Sequence, residues 1–221
     1  PIRMEMEGLS TREAVNAVLR ENLHGLEIDP RCVELAAFAL AFTAWRYPGS
    51  GGYRQLPELN LACSGLSINA GKDEWLDISK KNCIGNTENS CNLEIILGDL
   101  YDQFKEAPLL GSLINPKLTL FNGNVLGLHW EDISPLLTEA LSSEADMEKA
   151  ELGVVAQGLV RAAHLLARRY HLVMTNVPYL ARGKQDGPLK GFIEEHFNGA
   201  KNDLATVFLD RCLQFCKYEG T

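Results

Sequence analysis

Apolar positions fall into two alternating kinds of run along this chain, long ones at helical spacing and short dense ones. Ser10-Thr11-Arg12-Glu13 has the form of a capping box, and Ala14, Val15, Val18 and Leu19 follow at helical spacing, which predicts a helix from about Thr11 to Glu21. Leu23 to Ile28 is a short strand candidate. Asp29-Pro30 then supplies an N-cap and a proline in the first turn, opening a helix to about Arg46. Its apolar residues lie nearly all round, so it should pack between a sheet and a further layer. Pro48-Gly49-Ser50-Gly51-Gly52 ends it, and Leu59 to Cys63 predicts a second strand that stops at Ser64-Gly65.

Residues from about 67 to 92 are polar and rich in Asn and Lys, the composition of an insertion. A partly helical insert is expected over about 93–169. It begins with an amphipathic stretch, Leu93 to Lys105, and residues 112–133 carry no assignable pattern. Met147 to Arg169 predicts a long helix with Leu152, Val155, Leu159, Ala163 and Leu166 on one side. That helix feeds a strand candidate, Tyr170 to Thr175. A last helix, about Asn202 to Lys217, carries Leu204, Val207, Phe208, Leu213 and Phe215. Strands alternating with helices imply βαβ units, hence a doubly wound α/β fold with a mostly parallel sheet. Ligands of such sheets sit beyond the carboxyl ends of the strands. The loops at Glu27–Pro30 and Asn176–Tyr179 are therefore the places to look for chemistry.

Composition narrows the class. Of 221 residues, 46% are apolar and 23% charged, which excludes a wholly disordered chain. The longest apolar stretch, Leu35 to Trp45, is too short to cross a bilayer, and no basic-plus-apolar leader stands at the start. We expect a cytoplasmic protein with no membrane association. The net charge of −8 argues against wholesale wrapping of nucleic acid, though local patches can still bind phosphate. Arg182, Lys184 and Lys190 are placed for such contact, whereas Arg161, Arg168 and Arg169 suit a solvated helix face. Six cysteines are expected as reduced thiols, and neither they nor the five histidines show a metal-ligand spacing, so no metal is expected.

A carboxylate at a strand end, such as Glu27, can accept hydrogen bonds from both vicinal hydroxyls of a ribose, and Ile28 beside it can pack on an adenine face. An exposed Glu beside an N-capping Asp accounts for the same residues equally well. At Asn176-Val177-Pro178-Tyr179, the Asn side-chain oxygen and the next carbonyl can accept both hydrogens of an amino-bearing base, while Tyr179 stacks on its ring. An ordinary turn with a core Tyr fits that spacing too.

Taken together, Gly25-Leu26-Glu27-Ile28-Asp29-Pro30 and Thr175-Asn176-Val177-Pro178-Tyr179-Leu180 resemble the acidic ribose motif and the Asn-Pro-Pro-Tyr motif of the S-adenosylmethionine-dependent adenine-N6 DNA methyltransferases. The stretches Arg20 to Tyr47, Leu100 to Pro116 and Thr175 to Gln185 are similar to the large bacterial methyltransferases of BREX phage-defence systems and their restriction–modification relatives. The resemblance implies a Rossmann-like methyltransferase core, incomplete at both ends, with residues 1–221 forming part of a catalytic domain. It implies S-adenosylmethionine as cofactor and double-stranded DNA with a flipped adenine as substrate, with other phage-defence proteins as partners. Glu27 would bind the ribose hydroxyls and Ile28 would flank the adenine. Ser64 and Gly65 stand where the family contacts the adenine amino group. Asn176 and the Val177 carbonyl would grip the target amino group on a turn stiffened by Pro178, and Tyr179 would stack on the extruded base.

Three departures accompany the likeness. Val177 replaces the family's first Pro, no carboxylate stands at Ser64-Gly65, and nothing Gly-rich lies between Pro1 and Leu23. Further strands and a target-recognition region are expected beyond Thr221. These departures motivate an alternative, a catalytically inactive methyltransferase-like module that binds DNA or a partner protein. A nicotinamide-dependent oxidoreductase using Glu27 for its ribose is a second alternative, and it leaves the Asn176–Tyr179 turn unexplained.

Overall fold

The computed structural model describes residues 1–68, 71–73, 75–76, 98–116 and 147–217. Its first helix is a short α1, Ile2–Met6, followed by α2, Thr11–Ala17, which opens on the expected capping box. The Glu13 amide donates to Ser10 Oγ at 3.3 Å and the Ser10 amide to Glu13 Oε2 at 2.9 Å. Two amide donors that a helix start leaves without partners are thereby satisfied. The helix widens into a π turn at Val18–Asn22, closed by Leu23 N donating to the Val18 carbonyl, where regular α-helix to Glu21 was expected.

Strand β1, His24–Glu27, pairs in parallel with β2, Asn60–Cys63, in the register His24 to Asn60 through Glu27 to Cys63. Between them runs α3, Pro30–Arg46, with Asp29 as N-cap and Pro30 in the first turn. These three elements form the predicted βαβ unit. Helix α3 packs on both strands, and so does the long α4, Met147–Ala167. Among the described residues the buried apolar side chains form two clusters. Leu159, Ala162, Ala163 and Leu166 of α4 cluster with Leu26, Ala62, Leu100 and Phe104. Val15, Leu19 and Ala44 form a smaller cluster with Leu40, Leu56 and Leu59. Close approach on the α4 side is set by Gly158, where a Cβ would stand 2.6 Å from Leu66 Cδ1.

Three expectations are corrected. Helix α3 was expected to be covered on all sides, yet Leu35, Phe38 and Phe42 are exposed, with Phe38 stacked on Phe42 and the Arg46 guanidinium over the Phe42 ring. No layer covers that face among the described residues. Tyr170–Thr175, expected as a strand, makes only one isolated parallel bridge, Tyr170 to Cys216, so the sheet of the described residues has two strands. Arg161 is not on a solvated face. It donates to the Leu59 carbonyl and pairs with Glu58 at 2.9 Å, fastening α4 to the start of β2. Arg168 and Arg169 are exposed, as expected, and Arg168 also meets His24. The helix expected over Leu93–Lys105 is seen at 98–104, its beginning lying outside the described residues. The polar insertion at about 67–92 and the unassigned stretch 112–133 also lie largely outside them. Cys32, Cys63, Cys212 and Cys216 are free thiols.

Helix α5, Gly187–His196, and helix α6, Leu204–Phe215, complete the described chain. The buried stripe of α6 is Leu204, Val207, Arg211 and Phe215, while Leu213 is exposed. Among the described residues no helix is long and apolar enough to cross a membrane, and no group of His, Cys, Asp and Glu could hold a metal ion.

Candidate functional site

Parallel pairing in register carries the ends of β1 and β2 to the same level, so the four residues singled out there converge. The Ser64 amide donates to the Glu27 carbonyl at 2.8 Å, and Ser64 Oγ donates to the same oxygen at 3.3 Å. The Cys63 thiol, its pKa raised by burial, donates to the Ile28 carbonyl at 3.4 Å. Gly65 lies flat against Ile28. A Cβ at position 65 would stand 2.3 Å from the Ile28 carbonyl oxygen and 2.6 Å from its Cγ1, distances no side chain tolerates.

The turn at Glu27–Asp29 sorts its two carboxylates. Asp29 caps α3, accepting from Arg31 N at 2.9 Å and pairing with the Arg31 guanidinium at 2.6 Å, which holds its carboxyl below the usual range. Glu27 Oε1 accepts from the amides of Ile28 at 2.8 Å and Asp29 at 3.4 Å. Its other oxygen has no partner among the described residues, and the side chain is exposed. Glu27 is thus an oriented carboxylate with one oxygen available to a hydroxyl donor, beside an Ile28 that is 43% exposed. The donor set and the glycine-floored shelf fit a nucleoside. Ser64 is buried and turned onto the Glu27 carbonyl.

The second group hangs from both ends of α6. Tyr170 N donates to the Phe215 carbonyl at 2.7 Å and Lys217 N to the Tyr170 carbonyl at 2.8 Å, which ties the segment to the carboxyl end of α6. At the amino end, Leu204 N donates to the Leu180 carbonyl, Arg182 N to the Asn202 carbonyl, and Ala181 bridges to Asp203. Buried Gln185 donates its side-chain amide to the Leu180 carbonyl at 3.1 Å. A helix of 12 residues is roughly 18 Å long, whereas the chain from Tyr170 to Ala181 could reach about twice that distance. The slack between fixed anchors must bulge, and it presents Asn176 and Tyr179. Tyr179 is 84% exposed, so it is not the core residue that spacing alone allowed. Asn176 is exposed and has no hydrogen-bond partner among the described residues. Val177 is half-buried and Pro178 exposed.

A cavity of about 230 Å³ lies beside β1, and none of Glu27, Ile28, Ser64, Gly65 or Asn176–Tyr179 lines it. His24, Gly25 and Leu26 of β1 form one wall, and Leu172 to Thr175 form another. Among the described residues no hydrogen bond joins Glu27 or Ile28 to the 176–179 turn. Of the basic residues downstream, Arg182 pairs with Glu194, and Lys184 is exposed.

Two features carry little signal in the sequence. The turn Gly111–Leu113 touches Ile28, and Arg211 of α6 is buried beside it. A charged residue at a stripe position, with Leu204 and Val207 two turns and one turn before it, is the available signal for Arg211.

Comparison with known proteins places these residues in context. The model of the family described as Eco57I restriction-modification methylase matches residues 21–221. The chain is 29% identical over 217 residues to "Adenine-specific methyltransferase PglX" of Lacticaseibacillus casei (strain Zhang), covering 98% of this chain and 17% of that protein. It is 25% identical over 235 aligned positions to "Adenine-specific methyltransferase BrxX" of Escherichia coli O9:H4 (strain HS), covering 98% of this chain and 18% of that protein. The chain therefore spans about a sixth of the length of these relatives.

Proposed function

Because the chain belongs to the Eco57I restriction-modification methylase family, we propose that it carries the acceptor-base turn and half of the cofactor site of a DNA adenine-N6 methyltransferase. The whole protein would act in phage defence or restriction–modification on DNA in the cytoplasm. The observation that carries this reading is the Asn176–Tyr179 turn, pinned at both ends yet leaving an amide and a stacking ring uncovered.

On this reading the fold is a Rossmann-like core with a mostly parallel sheet, incomplete in this chain at both ends. The parallel pairing of β1 with β2 across α3 supports it, since that is the βαβ unit such a core is built from. Residues 1–221 would form part of one catalytic domain, with a polar insertion at about 67–92 and a further insert at about 93–169.

S-adenosylmethionine, when bound, supplies a methyl group on a sulfonium, which needs only an aligned nucleophile. Glu27 would hold the ribose hydroxyls through its unpaired oxygen, and Ile28 would carry the adenine above the floor made by Ser64 and Gly65. The target adenine has to leave the duplex, since its N6 cannot be reached in the stack. Asn176 Oδ1 and the Val177 carbonyl would accept the two amino hydrogens, turning the N6 lone pair toward the methyl group, and Tyr179 would stack on the ring. Pro178 fixes the turn. Val177 keeps the carbonyl that the role requires, although it does not fix its own φ as a proline would. The amino nitrogen held by Asn176 and Val177 would be the nucleophile for the methyl group the bound cofactor supplies on its sulfonium, and would give up its proton to solvent. Positioning and electrostatics suffice, without a covalent enzyme intermediate.

The test is transfer of a labelled methyl group to double-stranded DNA by the whole protein, with Asn176→Ala beside the wild type. The variant should keep its fold and lose transfer. Near-wild-type transfer in Asn176→Ala would refute the assignment. One observation favours a second reading, a non-catalytic DNA- or partner-binding module: Ser64 brings no carboxylate and its hydroxyl is turned onto Glu27. DNA binding without any methylation by the wild type would support that reading instead.

A further inference from the structure

Ile28 is held between two glycines. Gly65 lies on one side, and Gly111 on the other, where a Cβ would stand 3.0 Å from Ile28 Cδ1, 3.4 Å from its Cγ1 and 3.6 Å from Ser64 Oγ. At φ +50° the Gly111 backbone is in the left-handed region, so the position disfavours a side chain for conformational as well as spatial reasons. The height of the Ile28 shelf therefore depends on where the Gly111 turn sits.

That turn is fixed from α6. Arg211 Nε donates to the Ser112 carbonyl at 2.9 Å and Nη2 to the Ile114 carbonyl at 2.7 Å. Nη2 also donates to the Leu166 carbonyl of α4 at 3.1 Å, and Nη1 to Gln214 Oε1 at 3.2 Å. Asn115 Nδ2 donates to the same Gln214 oxygen at 3.3 Å. The guanidinium lies over the Phe215 ring, 3.9 Å from its centroid. Among the described residues no carboxylate pairs with it. Burial lowers its pKa to about 10, so it stays charged at neutral pH. Burying a lone cation is costly unless its donors are satisfied, and here backbone carbonyls from two segments and a side-chain amide satisfy them. An apolar residue of the same volume could fill the space but could not stitch the 112–114 carbonyls to α4 and α6.

We propose that Arg211 is a positioning residue for the cofactor: through the Gly111–Ile114 turn it sets the position of Ile28, and so couples the helix that anchors the Asn176 turn to the shelf that receives the cofactor's adenine. The inference rests on the reading under Proposed function and deepens it. It assigns to α6 a role at both halves of the site, because the helix whose ends hold the Asn176 segment also carries Arg211.

The experiment compares Gly111→Ala, Arg211→Lys and Arg211→Met with the wild type in the whole protein. Binding of S-adenosylhomocysteine is followed by calorimetry, KM for S-adenosylmethionine and kcat by methyl transfer, and folding by thermal melting. Gly111→Ala pushes on Ile28 without touching Arg211, so it tests the shelf even where Arg211→Met fails to fold. Gly111→Ala and Arg211→Met are expected to raise the cofactor Kd and KM about tenfold or more, with kcat at saturating cofactor within about twofold of wild type. Arg211→Lys, which keeps one ammonium donor, should recover part of the loss. Folded Gly111→Ala or Arg211→Met that binds S-adenosylhomocysteine as tightly as wild type overturns the proposal, as does a fall in kcat with KM unchanged. If the wild type itself binds no S-adenosylhomocysteine, the cofactor reading falls, and this inference with it.

Discussion

Arg168 Nη1 lies 3.3 Å from His24 Nε2, linking the end of α4 to the first residue of β1. The His24 ring also packs on Tyr170, centroid to centroid 5.2 Å, so this one side chain touches the strand pair, the long helix and the start of the Asn176 segment.

Burial first, and the Arg168 charge second, lower the His24 pKa. A neutral Nε2 accepts from the guanidinium, whereas a protonated ring would face a like charge. The unfolded chain takes up this proton near pH 6.5 and the folded chain only at lower pH. Folding stability should therefore be full above that value and decline as pH falls through it toward the folded pKa. Thermal melts at about pH 7.5 and about pH 5.5 check this, with His24→Gln as the control. The variant should lose less stability on acidification than wild type; an equal loss in both would exclude His24 as the source.

Glu27→Gln keeps an acceptor for the Ile28 amide, so the turn should survive. On the proposed reading it removes the negative charge that would strengthen hydrogen bonds to the ribose hydroxyls, an effect of about 1.5–3 kcal/mol. Cofactor affinity should fall roughly 10- to 100-fold with the melting temperature little changed. An unchanged affinity measured by calorimetry would show that Glu27 makes no ligand contact.

Gly65→Ala places a methyl group against the carbonyl oxygen of Ile28, 2.3 Å away, and backbone cannot swing aside as a side-chain tip can. Forced overpacking of this kind costs about 1–3 kcal/mol, and the strain falls on the Ile28 shelf. Urea unfolding should show that loss of stability, and cofactor binding should weaken with it. A variant as stable as wild type would mean that the strand ends separate freely.

Tyr170 donates its hydroxyl to the Leu165 carbonyl at 2.8 Å, and burial pushes its pKa up to about 12. Spectrophotometric titration of the folded protein should show one tyrosine ionising only near pH 12, and that step should be missing in Tyr170→Phe. The same variant should lose about 1 kcal/mol. An ordinary titration of Tyr170 would place its hydroxyl in solvent.

The local rules of the chain are legible in its residues alone. Ser10 and Glu13 cap α2 as their spacing demands, Asp29 and Pro30 open α3, and Cys63 ends β2 just before Ser64-Gly65. Each depends on partners within a few residues along the chain, so the sequence by itself specifies it. The motifs at Glu27 and Asn176 are contiguous runs too, so a resemblance can be drawn on them from the sequence alone.

What the tertiary structure decided involves partners far apart in sequence. The Tyr170–Thr175 run is as apolar as β1, but a strand needs a neighbouring strand, and only Tyr170 finds one among the described residues. Helix α3 is apolar all round, and whether each face is covered depends on other elements; Leu35, Phe38 and Phe42 are left exposed. Arg211 has the charge of a surface residue, yet it is buried because the carbonyls of Ser112, Ile114 and Leu166, from elsewhere in the chain, accept its protons. The sequence thus named Glu27 and Asn176–Tyr179 as candidates. Only long-range packing decided that Ile28 stands between Gly65 and Gly111, and that one helix anchors the Asn176 segment while fastening the turn beneath that shelf.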